Sequence, residues 1–163
     1  MLIRPYTERD AEDTLALFRR TVKTVCAADY SAFEIEAWIR REDIRAADWH
    51  ALLVSEHTLV ALDDGGRIAG FGSCVPGTGL IDFLYTASDR QGRGVGSALL
   101  AALEEAVDPA VKTLHAYVSI TARPFFEHRG WETQRANTAL RRFHRAGAAF
   151  EAALSNFLMC KSR

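Results

Sequence analysis

The sequence predicts an α/β (mixed α+β) domain, a mixed sheet with helices packed against it. Two capping signals near the start open amphipathic segments of helical period. From Thr58 onward the period shortens to that of strands, with turn residues between the runs. The second half then reads strand, helix, strand, helix, strands, an order that fits a mixed sheet better than a bundle or a sandwich.

In chain order, Leu2 to Tyr6 reads as a short strand, and Thr7-Glu8-Arg9-Asp10 caps a helix with Leu15, Phe18, Val22, Val25 and Cys26 on one face. Ser31-Ala32-Phe33-Glu34 repeats the signal for a second helix carrying Ile35, Trp38 and Ile39. Asp43 to His50 is polar and reads as a turn or connection. Thr58 to Leu62 and Ile68 to Val75 are strands joined by Asp63-Asp64-Gly65-Gly66, a hairpin signal. Pro76-Gly77-Thr78-Gly79 breaks the chain before the apolar strand Leu80 to Tyr85. A helix from Val95 places Leu99, Leu100, Leu103, Ala106 and Val107 on one face and ends at Asp108-Pro109. Thr113 to Ser119 is a strand, Ala122 to Arg129 a short helix stopped by Gly130, and Trp131 onward returns to a strand pattern. Asn156 to Lys161 reads as the closing strand, with Arg141 to Ala153 assigned to neither helix nor loop.

A chain of 163 residues with 48% hydrophobic and 25% charged residues is expected to form one domain, 1–163, burying roughly two thirds of its unfolded surface. Lys plus Arg number 20 against 21 Asp plus Glu, a net charge of -1 that supplies no bulk attraction to nucleic acid or an anionic membrane. Three separated cysteines and no apolar leader fit a reducing, cytoplasmic setting. Five histidines without ligand spacing suggest no metal.

The chemistry concentrates in Asp89-Arg90-Gln91-Gly92-Arg93-Gly94-Val95-Gly96-Ser97, between an apolar strand and an amphipathic helix. Glycines at alternate positions bring backbone N–H groups close to a ligand, the helix N-terminus adds free donors, and Arg90 and Arg93 add charge, which together make a phosphate site. The plainer alternative is a tight strand-to-helix turn and nothing more. A Walker A loop is excluded because no Gly-Lys pair occurs in the chain. A dinucleotide fingerprint fails because Gly92-x-Gly94 leads to Ser97 and Gly94-x-Gly96 to Leu99.

The remaining pattern, Gln91-x-x-Gly94-x-Gly96, resembles the pyrophosphate loop of the GNAT superfamily of N-acetyltransferases. Leu84-Tyr85-Thr86 resembles that family's acyl-CoA strand, with Thr86 and Ser88 in place of the commoner valine and proline. Ala122-Arg123-Pro124-Phe125-Phe126-Glu127-His128-Arg129-Gly130-Trp131 is similar to its Ala-x-x-Phe-Tyr-Glu-x-x-Gly-Phe, and Ser119 stands where asparagine is frequent. Tyr30-Ser31, Trp38, the run from Ser119 to Phe126 and Asn156-Phe157-Leu158-Met159 look like a bacterial subgroup of small acetyltransferases, against which Arg141 to Ala153 looks like an insertion.

The resemblance implies a central, mixed, mostly antiparallel sheet, splayed between two parallel strands, Leu80–Thr86 and Thr113–Ser119, with helices on both faces. It implies acetyl-CoA as acyl donor. The pantetheine arm would lie along free backbone groups of Leu84 and Thr86, next to Tyr85, like an added strand. Its pyrophosphate would meet Gln91, Gly92, Arg93, Gly94, Val95, Gly96 and Ser97, with Ser119, Phe125 and Phe126 flanking the thioester. The implied activity is direct acetyl transfer to a primary amine of a small molecule, amino acid or peptide. The alternatives are an acyl-CoA-binding sensor without turnover, or a partner-bound enzyme acting on a macromolecule, for which the balanced charge gives no support.

Such transfer needs a neutral amine, donors for a developing oxyanion and a proton for the thiolate. Asp82, in an otherwise apolar strand, is the candidate base; equally, it points to solvent or orients a substrate ammonium. A main-chain N–H near Leu84 would hold the oxyanion. Phe126 replaces the tyrosine that often serves as acid, leaving Tyr117 or Tyr85 as substitutes or as packing. Tyr30, Trp38 and Trp49 are candidates for the acceptor pocket, although Trp38 at helical spacing favours packing. Arg141, Arg142 and Arg145 read as a solvated basic loop or as a site for an acidic acceptor or partner. The closing strand Asn156 to Lys161, if exposed, would pair across a homodimer.

Overall fold

The computed structural model describes residues 1–40 and 44–163. Among them, seven strands form one sheet: Leu2–Pro5 (β1), His57–Leu62 (β2), Ile68–Val75 (β3), Leu80–Thr86 (β4), Thr113–Ser119 (β5), Glu132–Arg145 (β6) and Ala148–Ser162 (β7). Their spatial order is β1-β2-β3-β4-β5-β7-β6, antiparallel throughout except between β4 and β5. Ala11–Val25 (α1), Ala32–Arg40 (α2) and Ala46–Val54 (α3) cover one face, and Val95–Ala106 (α4) and Arg123–Glu127 (α5) the other.

Both N-terminal capping signals are used. Asp10 accepts the Thr7 N–H at 2.8 Å, and Ser31 and Glu34 exchange bonds at 2.7 and 3.2 Å to start α2. Side-chain alternation along β3 explains the two-sided core. Phe71 packs with Phe18, Trp49 and Phe83 under α1 and α3, while Gly70 and Gly72 face α4. A Cβ on Gly72 would stand 2.8 Å from Leu103 Cδ1 and from the Phe83 carbonyl oxygen, so the missing side chain lets α4 lie directly on the sheet. Leu99, Leu100 and Leu103 then pack with Ile81, Leu114, Val118, Phe126 and Trp131. Fully burying a side chain of this size contributes about 1.5–3 kcal/mol, more than surface ion pairs supply.

Four expectations are corrected. The stretch read as a connection, Asp43 to His50, contains the first part of α3, from Ala46 to His50, because Arg45 and Asp48 cap a helix that buries Trp49 and Leu53; Asp43 lies outside the described residues. Trp49 does not line an acceptor pocket: it is fully buried, with its indole N–H donating to Thr14 Oγ1 at 3.0 Å. Arg141 to Ala153 is neither loop nor insertion of unknown form but the outer part of a long β6–β7 hairpin closed by Ala146-Gly147, both with positive φ (50° and 80°). The closing strand runs from Ala148 and is not an exposed edge, since it pairs with β5 from Thr113↔Ser162 to Ser119↔Asn156 and with β6 on its other side. The dimer expectation based on that edge loses its footing. No helix among the described residues is long and apolar enough to cross a membrane.

Candidate active site

The parallel strands β4 and β5 pair only at Leu80↔His115, where the His115 N–H donates to the Gly79 carbonyl at 3.0 Å. Beyond that point they part. On its other edge, β4 shifts register against β3, with Ser73 opposite Phe83 but Cys74 opposite Ile81, so Asp82 is the extra residue of a β-bulge. The Ala87 N–H bonds Ala69 at 2.8 Å and Phe71 faces Tyr85, so by antiparallel alternation the backbone groups of Leu84 and Thr86 point away from β3, into the gap. One of them is already engaged. The Thr86 carbonyl accepts the Thr21 hydroxyl at 3.2 Å, because the splay lets α1 approach, and the expectation of fully free Thr86 groups is corrected to its N–H.

A cleft of about 500 Å³ fills the gap and reaches the loop before α4. Gln91, Gly92, Gly94, Val95, Gly96 and Ser97 line it, together with Leu84, Tyr85, Thr86, Tyr117, Ser119, Phe125 and Phe126. Gly94 is the N-cap of α4 with φ of 81°, a left-handed conformation that turns the first-turn N–H groups outward, and nothing stands within 4 Å of a Cβ built there. A ligand can therefore lie against bare backbone. The two arginines of the loop differ. Arg93 is exposed, whereas Arg90 donates to Asp63 at 2.8 Å and pins the loop to the β2–β3 turn instead of adding free charge. The same Asp63 accepts backbone N–H groups of Gly65 and Arg67, and mainly the latter holds its carboxyl down at about 2.

Sequence reasoning did not single out Arg129, which stacks 3.7 Å over the Phe125 ring and donates to Ser97 Oγ and to the Phe125 carbonyl. Its signal was the spacing of four from Phe125 on a short helix. Ser119 Oγ accepts the Ala122 N–H at 3.1 Å and so starts the turn into α5. Phe126 is buried against Trp131. Cys26 also lines the cleft, and burial pushes its thiol up, which keeps it protonated and a poor nucleophile.

A second cavity of about 370 Å³ lies on the α2 side of the sheet. It shares Trp38, Asp82, Phe83, Tyr85, Tyr117 and Ser119 with the first, so the two spaces meet at the gap. Asp82 is exposed there, and the burial that would have marked it as a base is absent. Tyr117 is half exposed at the junction, and Tyr85 packs on Phe71 and Phe18. Tyr30 is buried; its hydroxyl donates to the Ser155 carbonyl at 2.6 Å and accepts the Ile120 N–H at 2.9 Å, and burial pushes it up to about 12.

The family model for the acetyltransferase (GNAT) domain matches residues 26–144, which contain the splayed strands and the loop. The chain belongs to the GNAT family. It is an acetyl-CoA-dependent N-acetyltransferase, and its sheet has the GNAT form, mostly antiparallel with one parallel pair. The chain is 33% identical over 134 residues to the uncharacterized N-acetyltransferase YafP of Escherichia coli (strain K12), covering 80% of this chain and 81% of that one. It is similar to a crystal structure of a GCN5-related N-acetyltransferase from Rhodopseudomonas palustris, with a TM-score of 0.86 and 34% identity over 99% of this chain and 95% of that one. A PaiA N-acetyltransferase from Thermoplasma acidophilum, solved in complex with coenzyme A, shares the GNAT fold at a TM-score of 0.75 and 20% identity, covering 99% of this chain and 98% of that one.

Proposed function

We propose that this GNAT chain, folded as one domain over 1–163, moves the acetyl group of acetyl-CoA directly to a primary amine of a small molecule, amino acid or peptide that enters from the second cavity. The observation that carries this reading is the meeting of the two cavities at the β4–β5 gap, which gives donor and acceptor separate entrances to one junction. The cleft suits an anionic, amide-bearing donor. First-turn N–H groups of α4 and Arg93 would take the phosphates, and backbone groups of Leu84 with the Thr86 N–H would pair with the pantetheine amides. When bound, acetyl-CoA supplies the activated acyl carbon.

The chain's own groups have three tasks at the junction. Asp82 receives or orients the amine, which must shed its ammonium proton before it can attack. A main-chain N–H at Leu84 is the donor for charge developing on the acyl oxygen. The Tyr117 hydroxyl is the candidate for the proton that the departing sulfur takes up, since Phe126 has none to give. One C–N bond forms, one C–S bond breaks, and the amine's proton ends on the thiol. The raised thiol of Cys26 supports direct transfer over an acetyl-cysteine relay.

Free-thiol release from acetyl-CoA across an amine panel tests the reading, with Asp82→Asn as the informative variant. A base role predicts that kcat falls about a hundredfold with the acetyl-CoA KM unchanged. A rise confined to the acceptor KM would instead make Asp82 an orienting group, and no release with any amine would overturn the transfer itself.

A further inference from the structure

We infer that Arg129 is a donor-specificity residue: its guanidinium takes a phosphate of acetyl-CoA at the mouth of α4 and selects a phosphate-bearing donor over a bare pantetheine thioester. The inference rests on the acetyl-CoA reading of the loop-side cleft and adds a residue to it. Among the described residues that line this cleft, Asp82, Arg90 and Arg129 are the only charged side chains. Arg90 is engaged by Asp63, and Arg93 is exposed and outside the lining. Arg129 has uncharged partners only: the Phe125 carbonyl at 3.0 Å, Ser97 Oγ and the Phe125 ring. The one acid of the adjoining helix, Glu127, pairs with Arg123 at 2.8 Å.

Local structure explains how Arg129 comes to stand beside a residue 32 positions away. Gly130, with φ of 79°, ends the turn after α5, and from just before it the Arg129 side chain reaches back to the Phe125 carbonyl. The Phe125 ring in turn leans on the backbone of Gly96, where an added Cβ would stand 3.4 Å from the ring's Cε2 and Cζ. Arg129 stacks 3.7 Å from the centre of the same ring. Gly96, Phe125 and Arg129 thus form one line of contacts that fixes the guanidinium next to the first turn of α4.

That turn is rich in donors. The Ala98 N–H is the one that bonds the Gly94 carbonyl, at 3.0 Å, so the N–H groups of Val95, Gly96 and Ser97 lie outside the helix's own ladder. Ser97 joins the two sets, since its N–H belongs to the turn and its hydroxyl oxygen accepts from Arg129 Nη2. A guanidinium carries five N–H donors, of which two are engaged here, so it holds Ser97, the Phe125 carbonyl and a phosphate oxygen together. Capping of α5 accounts for the bond to the Phe125 carbonyl but not for the reach to Ser97. Acetyl-CoA offers the required anion twice, in its pyrophosphate and in its ribose 3′-phosphate.

Truncated donors test this without turnover: CoA and dephospho-CoA by calorimetry, and pantetheine, which has no phosphate, by the rise in melting temperature it produces at millimolar concentration. In Arg129→Gln the dissociation constant of CoA is expected to rise about ten- to hundredfold, while the response to pantetheine stays that of the wild type. An equal rise for dephospho-CoA assigns the pyrophosphate to Arg129, and an unchanged dephospho-CoA affinity assigns the 3′-phosphate. Unchanged CoA affinity overturns the inference. So does an equal loss for CoA and pantetheine, the mark of a residue that only braces Phe125.

Arg129→Lys keeps the charge and the stem but not the planar fork, so it should recover part of the CoA affinity lost in Arg129→Gln; no recovery overturns an electrostatic role. Salt gives a further readout. CoA binding by the wild type should weaken as ionic strength rises, with a shallower slope in Arg129→Gln, and equal slopes overturn the inference. Failure of the wild type to bind CoA at all would overturn the donor reading and this inference with it, whereas each outcome above leaves the donor reading in place.

Discussion

The two cavities that meet between β4 and β5 are assembled in different ways. The loop-side cleft takes one wall from a single short run, Gln91 to Ser97, and its long wall from the adjoining strand. The hairpin-side cavity is built from α1, α2, β4, β5 and both hairpin strands, and its Tyr30–Ser155 bond joins positions 125 apart. A site made from consecutive residues is written as a motif. A site made by topology has no motif, and its character emerges only when strand pairing places side chains opposite one another.

Substitutions that strike one cavity and spare the other test this contrast. The largest effect is expected from Gly94→Glu, which combines a left-handed φ of 81° with a negative charge where the proposed donor's phosphates would lie. Acetyl-CoA affinity by calorimetry should fall about a hundredfold or more, with the far-UV spectrum unchanged. Retained affinity would remove the loop from the donor site. Gly72→Val acts one layer down, against Leu103 and the Phe83 carbonyl. Overpacking of about 1–3 kcal/mol should lower the melting temperature by roughly 3–10 °C and weaken acetyl-CoA binding as α4 shifts, without altering preference among acceptors.

Tyr30→Phe strikes the other side. Losing the bonds to Ser155 and Ile120 should destabilise the fold by about 1–3 kcal/mol and raise the acceptor KM more than that for acetyl-CoA. This tyrosine also gives a pH signature. Its hydroxyl titrates near 10 when unfolded and about 12 when folded, so its contribution is complete below 10 and is lost as pH rises through 12. Denaturant titrations across that window should show a shallower decline in the variant, the remainder coming from Tyr6, also pushed up to about 12 chiefly by burial, and from the buried Cys74 thiol, pushed up to about 11. The smallest effect is expected for Asp63→Asn, which frees Arg90 and should weaken acetyl-CoA binding only about threefold.

Much of the fold was legible because local signals agreed with the final packing. Thr113 to Ser119 and Ile68 to Val75 match their strands at both ends, and the glycine-rich turn opens a helix at Val95. Misreadings occurred where local chemistry was overruled. Polar residues around Arg45 and Asp48 resembled a connection but serve as a cap, and the alanines after Gly147 read as neither helix nor loop until paired across the hairpin with β6. At the site, the family motifs marked the loop and β4, and the motif region included Arg129 without marking its stacking on Phe125. Arg141, which lines the hairpin-side cavity, carried no distinguishing signal among three nearby arginines, since its place there depends on a strand register that only β7 defines.

The single β4–β5 pairing at Leu80↔His115 leaves the sheet held at that seam by little backbone bonding, with β1 to β4 on one side and β5 to β7 on the other. Any molecule that bonds across the gap joins the two halves and does so only in the native chain. By mass action, saturation at about a hundred times its dissociation constant adds roughly 2.7 kcal/mol to the free energy of unfolding. Resistance to heat and proteolysis should therefore track donor concentration, so that the lifetime of the enzyme is tied to the supply of its own substrate.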